Sequence, residues 1–184
     1  MPVTGKKNGV WTAAPVYGCT LADADGINRR ILTAFLDLGD DGFSRRTHFF
    51  DGRFENLYLD VDRIPELQVI LDQAEACARE ILGWESRPLQ RGFWLNAQGP
   101  GHSTSEHTHE ELDELLSGVY YISVPGHSGD ILFRDGRLSM RLSPEAGMFL
   151  FFPPSLAHRV ETNHGKGLRL SLAFNFGSEL PLDD

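Results

Sequence analysis

A chain of 184 residues, 41% hydrophobic and 23% charged, is long enough to bury a core and has the balance of a globular protein, not of a fibrous or disordered one. Its 26 acidic against 17 basic residues leave a formal net charge of −9, which argues against a nucleic-acid partner gripped through its phosphates. The two cysteines, Cys19 and Cys77, are too few for a disulfide scaffold and read as reduced thiols.

Residues 1–12 read as a flexible leader. Their two lysines have no apolar stretch behind them long enough for a signal peptide, and no segment reaches the roughly 20 apolar residues of a membrane span. The expectation is a soluble, cytoplasmic protein with no membrane partner. The stretch APVYGCTL then reads as a short strand. From Asp23, the residues Ile27, Ile31, Leu32 and Phe35 recur at helical spacing, which predicts an amphipathic helix up to Gly39 with Asn28, Arg29 and Arg30 on a solvated face. Residues 40–61 are turn-rich and aromatic, assignable only as loops with short strands, and His48 among them reads as a surface histidine. A second helix is better marked. Asp62 is a candidate cap, Pro65 suits the first turn, Leu67, Ile70, Leu71, Ala74, Ala78 and Ile81 form an apolar stripe, and Gly83 fits the terminating position.

After Pro88 the period changes. Eight short apolar or alternating runs follow at hairpin spacing: LQRGFWLNA, the histidine-rich HSTSEHTH, SGVYYISVP, GDILFRD, LSMRLSP, GMFLFF, LAHRVE and LRLSLAFNF. They predict a mainly β fold with N-terminal helices, a jelly roll of the double-stranded β-helix or cupin-like kind, with two helices packed on one sheet. Two helices alone cannot bury their apolar faces, so a single domain is expected over residues 1–184. It divides into a helical part to residue 88, a barrel over residues 89–176 and a tail over residues 177–184.

Three of the seven histidines fall within residues 102–109. Side chains alternate along a strand, so His107 and His109 can aim two imidazoles at one point, and His158, after the buried run GMFLFF and a Pro-Pro turn, is the candidate third metal ligand. His102 reads as a loop histidine, His127 and His164 as surface residues in turns. Arg169 follows His158 by eleven residues and shares a strand face with Ser171. A guanidinium buried in a barrel needs a carboxylate, and a dicarboxylate cosubstrate would supply one, with the Ser171 hydroxyl donating to the same group. Trp94 and Asn96 share a face of their strand; Trp94 reads as core packing and Asn96 as a polar contact at the site.

At these residues the chain resembles the iron(II)/2-oxoglutarate-dependent oxygenases, whose pattern is H-x-D/E…H on a double-stranded β-helix with a basic residue about ten positions later, often in R-x-S. The segments LSGVYYISVP, GDILFRD, FFPPSLAHRVETN and RLSLAFNF look like a bacterial and phage-associated branch near the prolyl 4-hydroxylase-like group. The resemblance implies a dioxygenase that uses Fe(II), 2-oxoglutarate as cosubstrate and dioxygen to hydroxylate a small-molecule or peptide substrate. By position it implies His107 and His158 as metal ligands, Arg169 and Ser171 as partners of the far carboxylate of 2-oxoglutarate, and Tyr120 or Tyr121 as a further cosubstrate contact. The chain departs from the pattern at His109, where the family at large has an acid. Glu110, Glu111 or Asp113 could supply that carboxylate from the following loop, and three histidines also suit zinc. Two other readings compete: a cupin-like three-histidine dioxygenase without 2-oxoglutarate, and a non-catalytic metal-binding jelly roll.

Overall fold

The structure is a computed structural model that describes residues 15–110 and 113–178, together with the backbone of three two-residue strands ahead of them. These are β1 (Pro2–Val3), β2 (Lys6–Lys7) and β3 (Val10–Trp11), and the rest of the expected leader lies outside the described residues. Strand β4 (Val16–Thr20) is followed by helix α1 (Ala24–Asp37). The aromatic segment that sequence left unassigned forms a hairpin of β5 (Arg45–Phe50) and β6 (Arg53–Tyr58).

Helix α2 (Leu67–Leu82) begins later than its candidate cap. Asp62 lies in a separate 3-10 turn, Val61–Arg63, and Glu66 is the residue at the N-cap. Pro65 is the cause: the residue before a proline is held out of the helical region, and Ile64 accordingly has φ −141° and ψ 82°.

The eight runs after Pro88 become β7 (Leu89–Gln98), β8 (Thr104–His107), β9 (Glu114–Ser123), β10 (Ile131–Asp135), β11 (Leu138–Leu142), β12 (Met148–Phe152), β13 (Ala157–Val160) and β14 (Arg169–Ser178). The last strand runs past the expected start of the tail, since Gly177 and Ser178 still pair with β7, and residues 179–184 lie outside the described residues.

Among the described residues the strands form a larger sheet, ordered β1-β4-β12-β9-β14-β7-β6-β5, and a smaller one, ordered β11-β10-β13-β8, with β2 and β3 paired separately. Pairing between the strands is antiparallel, and the two sheets make the double-stranded β-helix that the run spacing predicts. Strand β14 shows why the interior is polar. Its even-numbered residues Leu170, Leu172, Phe174 and Phe176 are fully buried in one cluster with Ile31 of α1 and Ile70, Leu71, Ala74 and Ala78 of α2. Its odd-numbered residues, Arg169, Ser171, Ala173 and Asn175, must then face the other sheet. A second cluster, including Tyr121, Ile131, Phe133, Leu150 and Phe152, fills one end of the space between the sheets. The remainder of that space is the functional cavity.

Candidate metal centre

Strands β8 and β13 are neighbours in the smaller sheet, with His107 directly opposite His158. Opposed residues of an antiparallel pair point to the same face, and the two ring centroids are 4.4 Å apart. His109 arrives differently from the expected strand alternation. Strand β8 ends at His107, and the His109 N–H donates to the Pro154 carbonyl at 2.9 Å, so the Pro-Pro turn holds the chain as it leaves the sheet. The His109 ring then lies 5.0 Å from that of His107 and 5.1 Å from that of His158. One ligand nitrogen from each of the three falls within 4.8 Å of the others. Glu110 and Asp113 are exposed and outside this group, while Glu111 lies outside the described residues.

The backbone sets the tautomers. Nδ1 of His107 is 2.9 Å from the Ser105 carbonyl, and Nδ1 of His158 is 3.0 Å from the Leu156 carbonyl. A carbonyl only accepts, so each Nδ1 carries the proton and each Nε2 keeps its lone pair for a metal. Burial pushes the His158 pKa down to about 3 and that of His109 down to about 4, with the neighbouring His107 adding to both effects. Both rings are therefore neutral at neutral pH, which is the form a metal needs. The ring of Phe152, 4.6 Å from that of His158, closes the site on the core side.

The imidazoles open on a cavity of about 720 Å³ that also reaches Arg169, Ser171, Tyr121, Asn96 and Trp94. Arg169 is 1% exposed. Its Nη1 donates to the carbonyls of Ser128 and Gly129 at 3.2 and 2.9 Å, its Nε has no partner, and among the described residues no carboxylate pairs with it. Two carbonyl dipoles do not neutralise a full charge, so an anion that entered the cavity could pair with this guanidinium. Gly129 makes the cradle possible. Its φ is +83°, and a Cβ there would stand 2.5 Å from the Glu161 carbonyl oxygen.

The two tyrosine candidates separate cleanly. Tyr121 is buried on the cavity side, 5.2 Å from the Arg169 guanidinium measured to its ring centre. Its pKa is raised by burial, against the pull of the Arg169 charge. Tyr120 faces the helices and does not line the cavity; its hydroxyl donates to Asn28 Oδ1 at 2.8 Å. The same contact corrects the expectation for Asn28, which lies on the buried face of α1 and is not solvated.

Asn96 lies in the cavity wall, but its Nδ2 is committed to β6, donating to the Glu55 carbonyl at 2.7 Å and to Asn56 Oδ1 at 3.1 Å. Trp94, read as core from sequence, is instead a half-buried cavity wall with its ring 5.8 Å from that of His109. His102 is a loop residue whose Nδ1 accepts the Gly99 N–H at 3.1 Å, and His127 and His164 are exposed. His48 is exposed at the cavity mouth, 3.0 Å from Asn56 Nδ2. Sequence reasoning missed Asn175, which lines the cavity with a buried, unbonded Oδ1. The alternation that pairs Arg169 with Ser171 reaches Asn175 four residues later and was the available signal.

Residues 134–175, which contain His158, Arg169 and Ser171, match a family model described as "Putative 2OG-Fe(II) oxygenase". No curated protein matches the chain by sequence. Among solved structures the chain is similar to a prolyl-4-hydroxylase from Pseudomonas putida, with 16% identity and a TM-score of 0.61 over 91% of this chain and 90% of that one. It is similar to a prolyl hydroxylase from Trichoplax adhaerens, solved with a hypoxia inducible factor peptide fragment, with 13% identity and a TM-score of 0.64 over 89% and 84%. It is also similar to HygX from Streptomyces hygroscopicus, solved with nickel and 2-oxoglutarate bound, with 13% identity and a TM-score of 0.68 over 91% and 84%. The matched segment carries His158 and Arg169, and the double-stranded β-helix is the fold that the chain shares with these solved structures.

Proposed function

We propose that the chain is a non-haem Fe(II) and 2-oxoglutarate-dependent dioxygenase in which His107, His109 and His158 hold the metal and Arg169 holds the far carboxylate of 2-oxoglutarate. The observation that carries this reading is a buried guanidinium without a carboxylate, opening on the same cavity as three convergent imidazoles. Three neutral nitrogen donors suit a divalent first-row metal, and they leave its whole charge to be met by an anionic chelator. A 2-oxoglutarate dianion satisfies both ends, with its keto-acid end at the metal and its distal carboxylate at Arg169.

Each residue then has a task. The Ser105 and Leu156 carbonyls fix the ring orientations of His107 and His158, and so fix where their lone pairs meet. Arg169, held by Ser128 and Gly129, orients the cosubstrate, while Ser171 on the same face donates to its carboxylate and Tyr121 covers it. Fe(II), when bound, supplies the redox chemistry by which dioxygen and 2-oxoglutarate are consumed, 2-oxoglutarate is decarboxylated to succinate and a substrate C–H bond is hydroxylated. Trp94 and the strand face Ala173–Asn175 wall the remaining volume, where a small-molecule or peptide substrate fits. A cupin-like enzyme without 2-oxoglutarate would need an acidic primary substrate to meet the buried Arg169. Among the described residues, no helix is long and apolar enough to cross a membrane.

Anaerobic titration of Fe(II)-loaded protein with 2-oxoglutarate tests the assignment. The wild type is expected to develop the visible charge-transfer band of a metal-chelated keto acid. Arg169→Met is expected to weaken 2-oxoglutarate binding at least about tenfold while changing the stability of the metal-free fold by less than about 1 kcal/mol, because deleting an unpaired buried charge offsets its lost hydrogen bonds. A silent wild type would move the chain to the cosubstrate-free class.

A further inference from the structure

We infer that Arg45, at the mouth of the cavity, selects the primary substrate by holding a carboxylate whose apolar stem lies along Tyr58 and Trp94 towards His109. The inference rests on the dioxygenase reading and adds the substrate class to it.

The sheet register sets these residues in one row. Arg45 of β5 lies opposite Tyr58 of β6, Leu57 of β6 opposite Leu95 of β7, and Trp94 of β7 opposite Ala173 of β14. The antiparallel pairing of β6 with β7 therefore sets Tyr58 beside Trp94, and opposed residues share a face. Arg45, Tyr58, Trp94 and Ala173 all line the cavity. The Arg45 guanidinium sits 4.1 Å from the centre of the Tyr58 ring, that ring is 6.1 Å from the Trp94 ring, and Trp94 is 5.8 Å from His109. An aromatic floor thus runs from a cation at the mouth to the three histidines.

The other arginines and acids that line the cavity are paired, distant or assigned to the cosubstrate. Of the three arginines in the β5–β6 hairpin, Arg46 pairs with Asp40 and Arg53 with the cavity-lining Glu55, whereas Arg45 is exposed to the cavity mouth and has no ion pair among the described residues. Arg91 is tied to Asp72 and Glu75 of α2. Asp113 and Glu114 stand at the start of β9, the fourth strand from β5, which is roughly 15–20 Å away at the usual strand spacing. Arg169 faces 2-oxoglutarate.

The chemistry of Arg45 selects the ligand. A guanidinium stacked on a ring keeps its N–H edge free, and a carboxylate fills that edge with two parallel hydrogen bonds. One guanidinium meets one negative charge, which favours a carboxylate over a phosphate dianion. A substrate ammonium would meet like charge there, and a Tyr58 face already covered. The flat wall inward of Arg45 fits an apolar stem, so the carbon that reaches His109 is remote from the carboxylate and not the one beside it.

The experiment uses protein loaded with Zn(II) and saturated with 2-oxoglutarate, which does not turn over and leaves Arg169 occupied. Fluorine NMR then follows three probes: 3-(4-fluorophenyl)propanoate, its methyl ester and 3-(4-fluorophenyl)propylamine. The acid is expected to bind at least about tenfold more tightly than the ester or the amine in the wild type. Arg45→Gln is expected to erase that preference, and Arg45→Lys, which keeps the charge but not the fork, to retain part of it. Both variants are expected to keep the Fe(II)–2-oxoglutarate band, which shows the fold and the metal site intact. N-acetyl-4-fluorophenylalanine separates two sources of the same chemistry: binding equal to the simple acid assigns the carboxylate of a peptide terminus, and loss of binding assigns a free acid. Equal response to acid and ester, a preference for the amine, no response to either acid, or a preference that survives in Arg45→Gln overturns the inference. A normal band with no acid preference sinks only this inference, whereas a silent band sinks the dioxygenase reading.

Discussion

Adjacent residues on one strand can carry unrelated tasks, and Tyr120 and Tyr121 are an example. Alternation sends them to opposite faces of β9, one into the helix-side core against Asn28 and the other beside Arg169. Tyr120→Phe leaves Asn28 Oδ1 buried and unbonded, and is expected to lower stability by about 1–2 kcal/mol in urea denaturation. The 2-oxoglutarate titration of that variant should match the wild type; a weakened titration would place Tyr120 in the site after all. Sequence established that only one of the two could face the cavity. Which one depends on the register between β9 and β14, where Ser171 lies opposite Tyr121, and that pairing is set by distant parts of the chain.

At the scale of elements, close packing of β9, β12 and β14 leaves no room for a side chain at Gly118. A Cβ there would stand 2.3 Å from the Phe174 ring and 2.7 Å from the Leu150 carbonyl oxygen. Gly118→Ala is expected to cost about 1–3 kcal/mol by thermal unfolding, and a neutral outcome would mean that the central strands can spread. A second contact joins helix to sheet. Cys19 of β4 and Cys77 of α2, 58 residues apart, have their sulfurs 3.3 Å from each other. Their shared hydrogen bond pulls the Cys77 thiol down to about 6 and pushes Cys19 up. Glutathione disulfide is expected to convert the pair to an intramolecular disulfide, seen as a loss of two hydrogens in the intact mass, and to raise stability by about 4 kcal/mol by closing that loop. Stable glutathione adducts on separate thiols would show that the two cannot meet. Nothing in the sequence marks this pair, because strand and helix are brought together only when α2 docks.

For the molecule as a whole, metal binding at the proposed site is expected to be separable from folding. His107 and His158 are presented by strands of the smaller sheet whose neighbours are already paired, and the cores on either side of the cavity are formed by other residues. His158→Ala is therefore expected to reduce Ni(II) affinity at least about a hundredfold by calorimetry while the protein still unfolds cooperatively, with a loss of about 1–3 kcal/mol. An unfolded variant would make His158 a core residue first and a ligand second.

The sequence by itself determined the local periodicities, eight strands after Pro88 and two amphipathic helices before it, and the residue types proposed to hold a metal and a dicarboxylate. These follow from alternation and turn chemistry, which act over a few residues. Only the tertiary structure decided the convergence. His109 reaches the other two histidines because Pro154 of a distant turn accepts its N–H, Asn28 is buried because Tyr120 lies beneath it, and Arg169 is left without an acid because its neighbours are carbonyls. Each depends on chain segments far apart in sequence, whose approach is set by packing two sheets and two helices around shared cores.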